Sequence, residues 1–256
     1  MAAPALTSTT THPQPQPQPP STSSSLASPP SASAHASHAP PPLDQERYLN
    51  PAVVVQSAVA TPRGRNAFGV LVFREDHLLG GTKQRALAAF LQQQPRAEEF
   101  VYGGPVFGFA QVALAYVCRL HGRRGTAVVA RQSDGRYKPL TALAASVGAA
   151  VVEVDPPNAA LRDVQAYAEA YVKQRNARTP GCTVLLPFGL HCHIFTEALE
   201  AALRRALPEE LRDVGPRRLW LVAGSATILA VLAKIWPRTH FLVVQVGKTV
   251  WPDQMG

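Results

Sequence analysis

The first 43 positions of this 256-residue chain lack Lys, Arg, Asp and Glu altogether, and they hold 11 of its 24 prolines. Ser, Thr, Ala and Gln make up most of the rest, with PQPQPQPP at 13–20. Such a stretch buries too little apolar surface to offset its ordering entropy, so residues 1–43 are expected to be a disordered tail. It has no continuous apolar core and no basic start, which argues against a secretory signal. The expected location is the cytoplasm. The alternative is an organelle, if this acid-free, Ser-rich but Arg-poor stretch is a transit peptide.

Cysteine is scarce as well. Cys118, Cys182 and Cys192 form no CxxC pair and no even set, which excludes a disulfide framework and points to free thiols in a reducing compartment. No apolar run is long enough to cross a bilayer, so no membrane partner is expected. The whole of the +8 formal charge falls beyond the tail. Arg119, His121, Arg123 and Arg124 cluster at one predicted helix end, and Arg204–Arg205 and Arg217–Arg218 sit at others. Cations at helix C-termini complement the dipole. With no aromatic–basic interleaving and no zinc-finger spacing, nucleic acid is not an expected partner. A solvated basic surface remains, which could favour anionic small molecules.

What is present beyond residue 43 is an alternation. Strands are expected at 69–74, 99–102, 126–130, 150–154, 183–188, 218–223 and 240–246, several of them apolar on both faces. Between them lie helical patterns at 83–93, 108–121, 138–147, 159–177, 194–207 and 226–235. Leu161, Val164, Ala168, Tyr171 and Val172 recur at helical spacing in the fourth, and Phe195, Ala198, Leu199, Ala202 and Leu203 in the fifth. Gly122, Gly148 and Gly181 follow helix ends, and Pro208 and Pro237 stop two others. This rhythm predicts an α/β domain over 44–256, with a mostly parallel sheet and helices on both faces.

In such sheets ligands bind beyond the carboxyl ends of the strands. That directs attention to residues 80–83, 103–108, 187–193 and 223–227. In the last of these, Gly224, Ser225, Ala226 and Thr227 join a strand to a helix. They offer backbone N–H groups, two hydroxyls and a positive dipole end to an anion such as a phosphate. In the first, two glycines precede Lys83, and Thr82 is placed to cap the helix that Lys83 begins. A helix start lowers a lysine pKa, as a nucleophilic amine requires. The plainer reading leaves Lys83 and Arg85 solvated on an exposed first turn. The loop is no P-loop, lacking GxxxxGK[ST]. His191 and His193 would share one face of an extended segment, but no third or fourth ligand stands at zinc spacing, so no metal is expected. Glu75 and Asp76 read as polar residues at a strand end, and Trp220, Trp236 and Trp251 as packing residues.

In combination, these segments resemble the tryptophan-synthase β superfamily, the fold-type II pyridoxal-phosphate enzymes. REDHLLGGTKQRAL looks like that family's cofactor-lysine segment, and AGSAT, about 140 residues later, stands where the family has its phosphate loop. VYGGPVFGFAQVALAYVCRLHG looks like the strand–loop–helix that binds the substrate carboxylate. RYKPLTALAASVGAAVVEVD is similar to the helix–Gly–Ala–strand unit of a smaller subdomain, expected at about 97–156. The similarity runs from about 70 to 250.

The resemblance implies pyridoxal 5'-phosphate as cofactor. Lys83 would be the catalytic Schiff-base lysine, Gly224, Ser225, Ala226 and Thr227 the cofactor-phosphate residues, and Gly103, Gly104, Phe107 and Gly108 the substrate loop. It implies a small amino-acid substrate, attacked by α-proton abstraction followed by elimination or deamination, and it allows a homodimer. There are departures. Residues 104–108 carry no hydrogen-bonding side chain where the family has Ser or Thr and an Asn. Ala226 replaces a usual glycine. The chain stops at Gly256, where the family continues into a segment that supplies a partner for the pyridine nitrogen, so a divergent or truncated member is expected. A non-catalytic protein of the same fold is the alternative. A nucleotide-binding α/β protein would use the same helix start without a lysine at 83.

Overall fold

The computed structural model describes residues 48–60 and 67–246; the expected tail at 1–43 and Trp251 lie outside them. The strands are β1 (Val55–Ala60), β2 (Phe68–Phe73), β3 (Glu99–Gly103), β4 (Arg124–Ala130), β5 (Ala150–Val154), β6 (Thr183–Leu185), β7 (Arg218–Ala223) and β8 (His240–Gln245). The helices are α1 (Gln84–Gln92), α2 (Ala110–Leu120), α3 (Pro139–Val147), α4 (Leu161–Arg178), α5 (His193–Ala206), the short α6 (Glu209–Arg212) and α7 (Thr227–Ile235). Each strand and helix read from the sequence has a counterpart, although the strand expected at 183–188 covers only Thr183–Leu185 and gives way to a 3-10 turn at Phe188–Leu190. One strand was not expected: β1, which pairs antiparallel with β2 from Val55 against Phe73 to Ala60 against Phe68. Gln56, Ser57 and Ala58 at its centre are weak strand formers, and partnership with β2 settles their conformation.

The central sheet is wholly parallel, in the order β5-β4-β3-β6, and β7 and β8 form a second parallel pair. All five residues of β3 are buried, as a strand covered on both faces must be. On one face, Val101, Val128 and Val154 pack against Val164 and Ala168 of α4. The other face turns Phe100 and Tyr102 toward Ala113, Leu114 and Val117 of α2 and Leu87 of α1, within one large core. That core continues through Phe195, Leu199 and Leu203 of α5 to Val231 and Ile235 of α7 and Trp236 beyond it. Each such fully buried side chain stabilises the fold by roughly 1.5–3 kcal/mol. Trp236 packs as expected, whereas Trp220 is 72% exposed, because it lies on the face of β7 turned away from the core.

Strand order determines where loops diverge. From β3 the chain steps to β4 and then β5, through α2 and α3. It then returns over the opposite face through α4 and places β6 on the other side of β3. The loop leaving β3 and the loop leaving β6 therefore part at one crevice, where open α/β sheets hold ligands.

Candidate active site

Lys83 closes a 3-10 turn, Gly81–Lys83, that runs straight into α1. The two preceding glycines serve packing and backbone shape. A Cβ on Gly80 would stand 2.5 Å from the Cα of Ala113 in α2, and Gly81 has φ +62°, a left-handed conformation that suits glycine. Thr82 makes no capping bond. Instead, Gln84 accepts the Gly80 N–H with its Oε1 at 2.9 Å and donates to the carbonyls of Tyr48 and Leu49. Arg85 is not solvated either. Its guanidinium is buried, bidentate to Glu75 at 2.8 and 2.6 Å, and bonded to Asn50 Oδ1 and the Pro51 carbonyl. The first turn of α1 is thus tied down on two sides, which fixes where Lys83 begins.

From there Lys83 Nζ donates to the carbonyl of Gly189 at 3.1 Å. Burial pushes its pKa down from 10.5 to about 8. The cause is loss of water around the ammonium, rather than the helix dipole invoked from sequence. The same Gly189 carbonyl accepts the Thr227 hydroxyl at 3.0 Å, and Thr227 Oγ1 lies 3.2 Å from Ser225 Oγ. The lysine and the proposed phosphate loop, more than 140 residues apart in sequence, meet through one oxygen. Ala226 enters α7 with φ +57°, keeping the glycine-like backbone of the turn despite its methyl group. Gly224 is open, with nothing nearer its Cβ position than the Val246 carbonyl at 3.9 Å.

The loop after β3 forms the other wall. Gly104 fits under Tyr102, since a Cβ there would lie 2.3 Å from the phenol ring. Two amides of the expected substrate loop are already used: Gly104 N–H donates to Val128 and Gly108 N–H to Pro105. Gln111 and Thr141 bond the Val106 carbonyl at 3.1 and 3.2 Å and so hold the turn. Phe107 is 68% exposed. Phe109 lies against Gly81, 3.8 Å from the position of its Cβ, which brings this loop beside the lysine segment.

Two residues of the site were not singled out from sequence. Gly189, with φ +67°, is pressed so close to Ser225 that a Cβ would stand 2.4 Å from its Cβ. Its N–H donates to the Tyr102 hydroxyl at 3.4 Å, and burial pushes that phenol up to about 12. Topology had marked the 187–193 turn, but nothing local distinguished Gly189 or Tyr102. His193 begins α5 and pairs with Glu197 at 3.1 Å, so it is not part of an extended His-Cys-His segment. No group of three potential metal ligands occurs among the described residues, and no helix among them is long and apolar enough to cross a membrane.

No family model and no curated protein matches the sequence. Solved structures match the fold. An ACC deaminase homologue superposes with TM-score 0.60 at 17% identity, over 78% of this chain and 62% of that one. The O-acetylserine dependent cystathionine beta-synthase of Helicobacter pylori gives 0.57 at 14% identity, over 78% and 65%. The apo diaminopropionate ammonia lyase of Escherichia coli gives 0.53 at 15%, over 69% and 54%. At these identities the likeness is one of fold, and the chain spans less than two thirds of each of these proteins.

Proposed function

We propose that this chain, which has the fold of the tryptophan-synthase β superfamily, holds pyridoxal phosphate between Lys83 and the 224–227 turn and acts on a small amino acid. The observation that carries this reading is the shared Gly189 carbonyl, which brings a lysine amine of lowered pKa to the two hydroxyls at the start of α7. That donor set fits an aldehyde bearing a phosphate. The Thr227 and Ser225 hydroxyls and the free amides of the helix start would bind the phosphate, and Gly224 leaves room for its approach. Bonds from Lys83 and Thr227 to Gly189 are the contacts that the cofactor would replace.

Pyridoxal phosphate, when bound, supplies the electron sink for amino-acid chemistry. Lys83 Nζ is the attachment point and the base that takes and returns the α-proton. With a pKa of about 8, a useful fraction of it is neutral near neutral pH. The amides of Val106 and Phe107 and the first turn of α2 would hold the substrate carboxylate. An elimination or deamination that releases ammonia and a 2-oxo acid is the reaction type favoured. The polar-free wall of residues 104–108 supports a second reading, in which the chain binds the cofactor without turnover.

The test is direct. Protein mixed with pyridoxal phosphate should gain a visible absorbance band, and borohydride followed by peptide mapping should place a pyridoxyl group on Lys83. Lys83→Ala should abolish the band in a folded protein. Gly224→Val should weaken cofactor binding strongly, and Thr227→Ala more mildly. A label on any other lysine, or none in a cofactor-saturated sample, would sink the assignment. Ammonia release from amino acids then separates an enzyme from a binding protein.

A further inference from the structure

A second cavity, of about 300 Å³, opens at the opposite end of the central sheet. Its floor is the amino ends of three neighbouring strands, since Glu99 of β3 is in register with both Arg124 of β4 and Thr183 of β6. Gly103, at the other end of β3, is four residues away, about 13 Å at the rise of a strand, so this cavity is separate from the one beside Lys83. Arg123 enters from the turn before β4, Arg124 from the first residue of β4 and Arg175 from α4.

The charges in this cavity do not simply cancel. Glu99 is buried and saturated: Oε1 accepts from Thr126 at 2.6 Å and Tyr171 at 3.0 Å, and Oε2 from Arg175 at 3.1 Å and Thr183 at 3.4 Å. Arg175 gives Glu99 only its Nε, leaving the two terminal nitrogens of a side chain that is 37% exposed. Arg123 is held by one bond from Nη2 to the Pro95 carbonyl at 3.1 Å. Arg124 makes no side-chain hydrogen bond or ion pair among the described residues, and Glu98 is the one other acid on the wall. Three arginines therefore line one small polar cavity with most of their guanidinium donors uncommitted, and Glu99 beside them is already fully bonded. Planar forks of this kind match the oxygens of a phosphate or carboxylate.

We propose that this cavity is a binding site for a small anion, a phosphate or carboxylate group held by Arg123, Arg124 and Arg175, and distinct from the proposed cofactor site. The proposal gives a role to Arg123 and Arg124, the last two residues of the basic run at 119–124.

Inorganic phosphate is the probe, with acetate as the carboxylate arm and chloride at matched ionic strength as control. Binding would be followed by calorimetry and by thermal shift on the wild-type protein, on Arg124→Gln, on Arg123→Gln/Arg124→Gln and on Thr227→Ala. Because the 224–227 turn is itself proposed to take a phosphate, the anion site at the opposite end of the sheet is read as the binding of phosphate or acetate that remains in Thr227→Ala. Arg124→Gln should weaken that binding, and the double variant should weaken it at least tenfold, by roughly 1.4 kcal/mol or more. Which anion binds more tightly identifies the ligand group. Binding that survives the double variant and is lost in Thr227→Ala would place the anion at α7 and overturn the proposal. So would the absence of binding by either anion above the chloride control.

Discussion

Replacing Gly189 by Ala tests the central contact of the site, and its cost can be worked from two separate features. The first is backbone conformation. At φ +67°, an alanine pays about 1–2 kcal/mol relative to glycine, part of which is offset because alanine loses less freedom on folding. The second is space, since the new Cβ would sit 2.4 Å from Ser225 Cβ and 2.6 Å from its Oγ. Overpacking of this kind typically costs about 1–3 kcal/mol, for a total near 2–4 kcal/mol. Gly122 supplies the control: its φ is +62°, with nothing within 4 Å of the Cβ position, so Gly122→Ala should show only the backbone cost, about 1 kcal/mol. Urea unfolding at unchanged m-value gives both numbers. For a domain of this size the difference should also appear as a gap of several degrees in Tm. Ser225→Gly removes the atoms that clash. Combined with Gly189→Ala, it should recover the packing part of the loss and leave the backbone part. If Gly189→Ala costs no more than Gly122→Ala, or if Ser225→Gly recovers nothing, the packing of these two turns described above is incorrect.

Three further outcomes follow from charged groups. Lys83 has a folded pKa of about 8 against an ordinary 10.5, so folding opposes its protonation. The penalty is complete below about pH 8 and fades as pH rises toward 10.5, because there the unfolded chain binds the extra proton. Wild-type stability should therefore gain on Lys83→Met between pH 8 and 10.5, by at most about 3 kcal/mol, and a pH-independent difference would contradict the burial of this amine. Glu99→Ala removes the acceptor shared by Thr126, Tyr171, Thr183 and Arg175 and should cost about 3–5 kcal/mol by urea titration; a loss below about 1 kcal/mol, the range of surface pairs, would refute its role. Arg85→Lys cannot reproduce the fork to Glu75 or the bonds to Asn50 and Pro51. It should lose about 2 kcal/mol or more by urea titration, and a loss below about 1 kcal/mol would refute the buried fork.

Elements with a strong periodic signal were legible in the sequence. The stripe from Leu161 to Val172 does place Val164 and Ala168 under the central sheet, and the stripe from Phe195 to Leu203 does enter the main core. Residues 55–60 gave no such signal, because β1 owes its strand conformation to its antiparallel pairing with β2. That Lys83 and the 224–227 turn lie at the same end of the fold was legible, because loops leaving the carboxyl ends of parallel strands gather on one side. What joins them was not. Gly189 sits 106 residues from Lys83 and 38 from Thr227, and a glycine in a Pro-Phe-Gly-Leu turn looks the same whether or not it faces another loop. The helix cap was misassigned for a similar reason: Thr82 has the right chemistry by local rules, but Gln84 also reaches the chain at Tyr48 and Leu49 and wins the position.

The contact between Gly80 and Ala113 has a consequence for how the lysine could change over time. With α2 lying directly on the backbone of residue 80, the thickness of one methyl group at position 113 sets how deeply the lysine turn sits in the crevice. Enlarging Ala113 by a single carbon would lift that turn and carry Nζ away from Gly189, although position 113 makes no contact with Lys83's own bonding partner. Substitutions on the inner face of α2 and alterations in the reach of Lys83 are thus one inherited variable, and a compensating change would be sought in the helix rather than in the loop.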